Sequence, residues 1–290
     1  MSRLSQALES GEFVITGEVA PPRGTDVSGM LEGAKALAPY CHAVNVTDNQ
    51  AATLHLSSLA ASKLLVDAGI EPIYQLTARD RNRLAIESDL LGASTMGIEN
   101  LLLLTGDHPQ YGDHPQARGV FDIDSSQMIE TAVALNEGRD MYGRPLEGAT
   151  RFFIGAATFP EAEPWDIQAR RTRAKIAAGA RFFQTQAYYD EERFARTADL
   201  VHGHGAKILA GILLLRSPKV IDYINANVAG LFVPEAVRER IASAADPFEE
   251  SVAFATEQVA RARELADGIH LMTLGRTDVV PGILEGAGLA

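Results

Sequence analysis

Short runs of aliphatic and β-branched residues alternate with longer amphipathic stretches from one end of the chain to the other, as parallel strands joined by crossover helices require. Eight strand candidates stand out: FVITGEVA (13–20), AVNVTD (43–48), EPIYQLTA (71–78), NLLLLTG (100–106), RFFIGAATF (151–159), FFQTQAY (182–188), KILAGILLL (207–215) and GIHLMTL (268–274). Their apolar character is nearly continuous, which suits strands covered on both faces. Between them, segments such as LSSLAASKLLVDAG and DIQARRTRAKIAAG repeat apolar residues at three- and four-residue spacing, the mark of helices with one buried face. Several end in Gly just before the next strand (AGIEPIYQ, MGIENLLL, AGARFFQT), where a glycine can take positive φ and turn the corner.

Eight such units and a strand candidate near the C-terminus predict a closed (β/α)8 TIM barrel, one domain over residues 1–290, rather than an open doubly wound sheet. Two departures interrupt the repeat. A Gly/Pro/His-rich segment, GDHPQYGDHPQARGVFDIDSS, follows the fourth strand, and extra helical sequence separates strands seven and eight.

Composition narrows the function. With 46% hydrophobic and 22% charged residues there is ample apolar surface for a core. The net charge of −12 argues against a nucleic-acid partner, which demands a clustered basic surface. Cys41 is the single cysteine, so neither an intrachain disulfide nor a thiolate zinc site is expected. No apolar run suits a signal peptide or a membrane span, and the expectation is a cytoplasmic homo-oligomer with no membrane partner.

In such barrels chemistry sits at strand C-termini, so polar residues there carry weight. The first strand brings Glu18 into an apolar run just before Pro21 and Pro22. It is either the partner of a buried arginine or an acid tuned by desolvation. The second strand supplies Asn45, Thr47, Asp48, Asn49 and Gln50, and the third Gln75, Thr77, Arg79 and Asp80. Helix capping explains many Asp, Asn and Thr residues after strands, but not Gln75 inside one. The fourth strand ends at Thr105, Gly106 and Asp107, with Asp107 directed to the mouth. On the sixth strand alternation puts Gln184 and Gln186 on one side, and a buried glutamine without a partner is costly. The doubled Asp-His-Pro-Gln at 107–110 and 113–116 lies in one loop and makes a poor metal site, and no metal is expected. GxGxxG, Walker, GxSxG and HExxH motifs are all absent.

The stretches GEVAPPRGTD, VNVTDNQ, QLTARDRNR, LLLTGDHP, GAATFPEAEP, KIAAGARFFQTQAYYD, GILLL and MTLGR, in this order, resemble the methylenetetrahydrofolate reductase family and its acetogen-like branch. The resemblance implies a flavin-containing barrel, an oxidoreductase acting on a CH–NH group of one-carbon metabolism. It would reduce 5,10-methylenetetrahydrofolate to 5-methyltetrahydrofolate with NAD(P)H, or an electron-donating partner protein, as the donor. Glu18 would be the acid that opens the methylene bridge, Asp107 would hold the pterin and tune the flavin, Gln186 would hydrogen-bond the pterin and Arg276 would lie near the folate. Flavin contacts, to FAD by this resemblance with FMN or direct hydride transfer as variants, would come from Thr47, Asp48, Gln50, Gln75, Thr105, Gly106, Asp107, Phe121, Asp122, Phe159 and Lys175, the last facing the phosphates. The chain departs from the family pattern at Gln75 and Glu163, where a histidine is usual, at Thr105 in place of an arginine, and in the Arg216 to Lys219 loop, which replaces an aromatic residue. The alternatives are a pterin-dependent methyltransferase barrel and a non-catalytic folate- or flavin-binding subunit.

Overall fold

In the computed structural model, residues 1–228 and 231–289 are described. Eight parallel strands close into a barrel in simple chain order: β1 (Val14–Val19), β2 (Ala43–Val46), β3 (Pro72–Thr77), β4 (Asn100–Leu104), β5 (Phe153–Thr158), β6 (Phe182–Ala187), β7 (Lys207–Leu213) and β8 (Gly268–Met272). β1 pairs with β8 through Val14–Gly268 and Thr16–His270, which completes the ring. Each strand falls inside the run that predicts it.

The outer layer is formed by α2 (Ser28–Leu37), α3 (Ser58–Asp67), α4 (Arg83–Thr95), α5 (Ser125–Asn136), α6 (Trp165–Ala178), α7 (Glu191–His202) and α10 (Pro247–Leu265). Their ends follow local chemistry. Asp124 and Gln127 form a reciprocal capping box that starts α5, and Asp246 accepts from two backbone N–H groups ahead of Pro247 to start α10. Gly69, Gly97 and Gly179, at the predicted helix-to-strand corners, have φ of 74°, 83° and 116°. The extra helical sequence before β8 forms α8 (Pro218–Asn227) and α9 (Glu235–Ser243), which cover a satellite core of Leu215, Ile221 and Val233. A short α11 (Val280–Gly286) follows β8.

One element escapes the alternation pattern. Helix α1 (Arg3–Ser10) precedes β1, and its Leu4, Ala7 and Leu8 pack with Val14, Ala43, Ile73, Leu102, Phe182 and Leu209 from the strand beginnings. Glu71, just before β3, holds the helix in place by accepting from the backbone N–H groups of Arg3 (2.8 Å) and Leu4 (2.9 Å). A carboxylate at a helix N-terminus satisfies orphan donors and meets the positive end of the dipole. The lower end of the lumen is thereby plugged, and the C-terminal end is the one left for a site.

Candidate active site at the barrel mouth

One pleat above the apolar plug, the inward positions change chemistry. Thr16, Asn45, Gln75, Gln184 and His270, two residues beyond Val14, Ala43, Ile73, Phe182 and Gly268, are all buried. Gln75 Nε2 donates to Asn45 Oδ1 (3.3 Å), and Asn45 Nδ2 donates to the Gly17 carbonyl (3.3 Å) and lies 3.3 Å from His270 Nδ1. Thr16 Oγ1 is 3.1 Å from the same ring nitrogen. On the other side of the ring, His270 Nε2 is 3.5 Å from Glu18 Oε2. Glu18 is neither a surface residue nor the partner of an arginine: its side chain is 15% exposed and its near ionisable neighbour is His270.

Gln184 is the exception in this layer. Both atoms of its amide are buried and lack a hydrogen-bond partner, as does Thr47 Oγ1 higher on the β2 side. Unmade hydrogen bonds of this kind cost about 1 to 3 kcal/mol per group. Past Gln184 the strand is irregular: the β6–β7 register shifts between Gln184 and Ala187, and the Gly211 N–H donates to Thr185 Oγ1 (2.8 Å). A Cβ at Gly211 would stand 2.3 Å from the Thr185 carbonyl, so glycine is required for β6 to approach. The irregularity leaves half-buried Gln186 at the rim, its side-chain oxygen turned to the Ala187 N–H.

The remaining predicted residues divide into free and committed. Asp107 and Thr105 are exposed after β4, and Gln50 is exposed after β2. Gly106 has φ of 87°, and a Cβ there would lie 3.1 Å from the Cβ atoms of Thr77 and Arg79, so close packing on the end of β3 demands the glycine as much as ligand approach would. Phe159 and Phe121 are half-buried, and the Phe121 ring stacks on His108 at 6.2 Å.

Asp48 is sequestered. It accepts from the Thr77 N–H (2.9 Å), the Thr77 hydroxyl (2.8 Å) and Arg81 Nη1 (2.7 Å). Burial works against the Arg81 charge, but Asp48, with Tyr74 and Asp89, holds the guanidinium pKa above its ordinary value. Asp122 is doubly hydrogen-bonded by Arg83, which brings its carboxyl down to about 2. Gln75 is used by Asn45, as above. Lys175, on α6, donates to the Ala157 carbonyl of β5 (2.7 Å) rather than facing outward to phosphates. Burial pushes its ammonium down to about 8, with Arg171 adding repulsion and Asp124 opposing. Arg276 pairs with Asp278 (2.8 Å) and lies over the Phe248 ring at 4.1 Å.

Of the residues expected to contact a flavin, then, the Thr47 hydroxyl has no partner and Gln50 is exposed, while Thr105 Oγ1 accepts from the Ser125 N–H (3.4 Å) at the start of α5. The histidines of the doubled motif serve the loop itself: Asp113 pairs with Arg23 and His114 and accepts from the Leu54 N–H (3.1 Å), strapping the loops after β1, β2 and β4 together. His270 is the residue that motif reasoning passes over. Its signal was the one that singles out Gln75: a polar side chain inside an apolar strand.

A model of the methylenetetrahydrofolate reductase family matches residues 3–288. The chain belongs to the methylenetetrahydrofolate reductase family. Among relatives, methylenetetrahydrofolate reductase 2 of Schizosaccharomyces pombe is 25% identical over 82% of this chain, and methylenetetrahydrofolate reductase (NADH) 1 of Arabidopsis thaliana is 26% identical over all of it. The chain spans 39% and 50% of those two relatives' lengths. A solved protein from Clostridium thermocellum, described as binding two copies of 5-methyl-5,6,7,8-tetrahydrofolic acid, superposes with a TM-score of 0.65 at 13% identity, covering 98% of this chain and 97% of that one, which speaks to the fold. Among the described residues no helix is long and apolar enough to cross a membrane.

Proposed function

We propose that the chain reduces 5,10-methylenetetrahydrofolate to 5-methyltetrahydrofolate, with Glu18 as the acid. The observation that supports this most is the place of Glu18: a largely buried carboxylate at the top of the lumen, in a family whose members are named for this reaction. The protonated carboxyl gives its proton to N10 of the folate, the bond from the methylene carbon to N10 breaks, and an iminium forms at N5. A hydride from reduced nicotinamide adds to that carbon and leaves the methyl group.

Asp107 and Gln186, at the rim ends of β4 and β6, bind the pterin edge, and Gln184 offers from below the donor and acceptor that the protein leaves unmatched. Arg276 stands after β8 on the side of the folate tail. The name of the Arabidopsis thaliana relative, which carries NADH, supports a nicotinamide donor. FAD, as the family implies, would relay the hydride when bound; Thr47, Thr105 and the Gly106 backbone would hold its ring. Whether the purified protein is yellow settles that relay. A protein that fails to oxidise NADPH or NADH when methylenetetrahydrofolate is added, with or without supplied flavin or a redox partner, overturns the reductase reading, and methyl transfer to a corrinoid without any reductant would replace it.

A further inference from the structure

We propose that His270 is the positioning residue of the acid: its ring proton is locked on Nε2, facing Glu18 Oε2, so that the transferable proton of Glu18 sits on Oε1, toward the mouth. This rests on the reading of Glu18 as the acid.

The lock follows from a chain of fixed donors. The Gly17 carbonyl can only accept, so the Asn45 atom 3.3 Å from it is the amide nitrogen. Gln75 Nε2, donating to Asn45 Oδ1, requires the same orientation. That amide nitrogen also lies 3.3 Å from His270 Nδ1, which must therefore present a lone pair. The Thr16 hydroxyl has one proton and two acceptors in reach, Nδ1 (3.1 Å) and the Ile269 carbonyl (3.2 Å), so it accommodates this tautomer. A neutral imidazole with an acceptor at Nδ1 carries its hydrogen at Nε2. Three strands thus set the proton of a side chain on a fourth.

The groups facing the ring are Thr16 and Glu18 from β1 and Asn45 from β2, while β7 presents Gly211 in register; Glu18 is the ionisable one. The 3.5 Å between Nε2 and Oε2 is slightly longer than a hydrogen bond, and a small turn of the carboxylate closes it. An N–H directed at Oε2 leaves that oxygen as an acceptor and puts the acidic hydrogen on Oε1. During transfer the Oε1–H bond breaks, its electron pair stays on Glu18, the folate nitrogen gains the proton, and His270 keeps its own. The carboxylate that remains is stabilised by the Nε2–H.

Two measurements decide this. Imidazole 15N spectra of the unliganded wild-type protein should show His270 neutral with the proton on Nε2; a proton on Nδ1, or on both nitrogens at neutral pH, overturns the lock without reference to catalysis. In turnover, His270→Leu should lower kcat by about 10- to 100-fold with KM within about threefold, because the carboxylate left after proton transfer loses its N–H donor. His270→Gln, which keeps an N–H at similar reach, should recover most of kcat. An unchanged kcat in the Leu variant, or a Gln variant no better than Leu, overturns the proposal. If instead Glu18→Gln turns over like wild type, it is the reading of Glu18 that fails, and the 15N result still judges the tautomer alone.

Discussion

Two successive pleats of the same barrel make opposite use of the lumen. The lower pleat, with Val14, Ala43, Ile73, Leu102, Phe153, Phe182 and Leu209, interlocks with Leu4 and Leu8 of α1 in one apolar cluster. Two residues further along β1, β2, β3, β6 and β8, about 7 Å by strand geometry, stand Thr16, Asn45, Gln75, Gln184 and His270, all buried and nearly all hydrogen-bonded to each other. Both pleats are buried; only the lower one gains stability from it in the simple way. Polar groups in a core contribute little net free energy and penalise every unmade bond, so the upper pleat is explained by what it presents to the mouth.

The comparison breaks most visibly at Glu18. Glu18→Gln keeps the size and hydrogen-bonding capacity of the side chain and removes only the transferable proton. Turnover should fall by about 100- to 10,000-fold, the range for loss of a general acid, while folate affinity stays within a few-fold. Steady-state kinetics together with titration calorimetry check this. Near-wild-type turnover would reassign the upper pleat to binding alone.

Leu4→Ala addresses the lower pleat. Leu4 is fully buried in the plug, and a Leu-to-Ala cavity costs about 2 to 5 kcal/mol. Denaturant unfolding should register that loss while kcat of the surviving folded protein is unchanged. A large kcat defect would mean that the two pleats are coupled rather than layered.

How far each pleat was legible from the chain differs for physical reasons. The strands were legible because continuous apolar runs bounded by glycine corners admit few other readings. Gln75, Gln184 and Glu18 were legible because each interrupts such a run, and His270 interrupts one in the same way. Helix α1 was not, since eight residues with three apolar positions give too short a period to distinguish from a polar N-terminal tail. Nor could spacing reveal that Asp48 and Asp122 are taken by Arg81 and Arg83. Those pairings depend on how the loops after β3 and β4 fold back, and the same aspartates unpaired would be reasonable ligand groups.

Gln184→Leu sharpens the contrast by extending the apolar pleat upward. With both amide atoms unpartnered, replacing them by an apolar group of similar volume should stabilise the unliganded protein by about 1 to 2 kcal/mol and weaken folate binding by about tenfold. Thermal unfolding and binding would be measured on the same preparation. Destabilisation would show that Gln184 belongs to the structural network and is not waiting for a ligand.

The smallest effect concerns Lys175, at the flank of the mouth. Its ammonium is held near 8 by burial, against an ordinary value of 10.5. Between those two pH values the unfolded chain holds the proton and the folded chain does not, so stability from this group rises with pH across that window; below about 8 the cost of burying the charge is borne in full. Lys175→Met should flatten that slope in unfolding measurements from pH 7 to 10. The same variant separates two roles for the residue. A cation whose proton leaves near pH 8, with its Nζ already donated to the Ala157 carbonyl, makes a weak phosphate anchor. Flavin or nicotinamide affinity should therefore change by less than about threefold, because a hydrogen bond turned to the protein interior contributes little to a ligand outside. A tenfold loss would restore Lys175 to the phosphate role that the family resemblance assigns it and would require the side chain to leave Ala157 when a ligand binds.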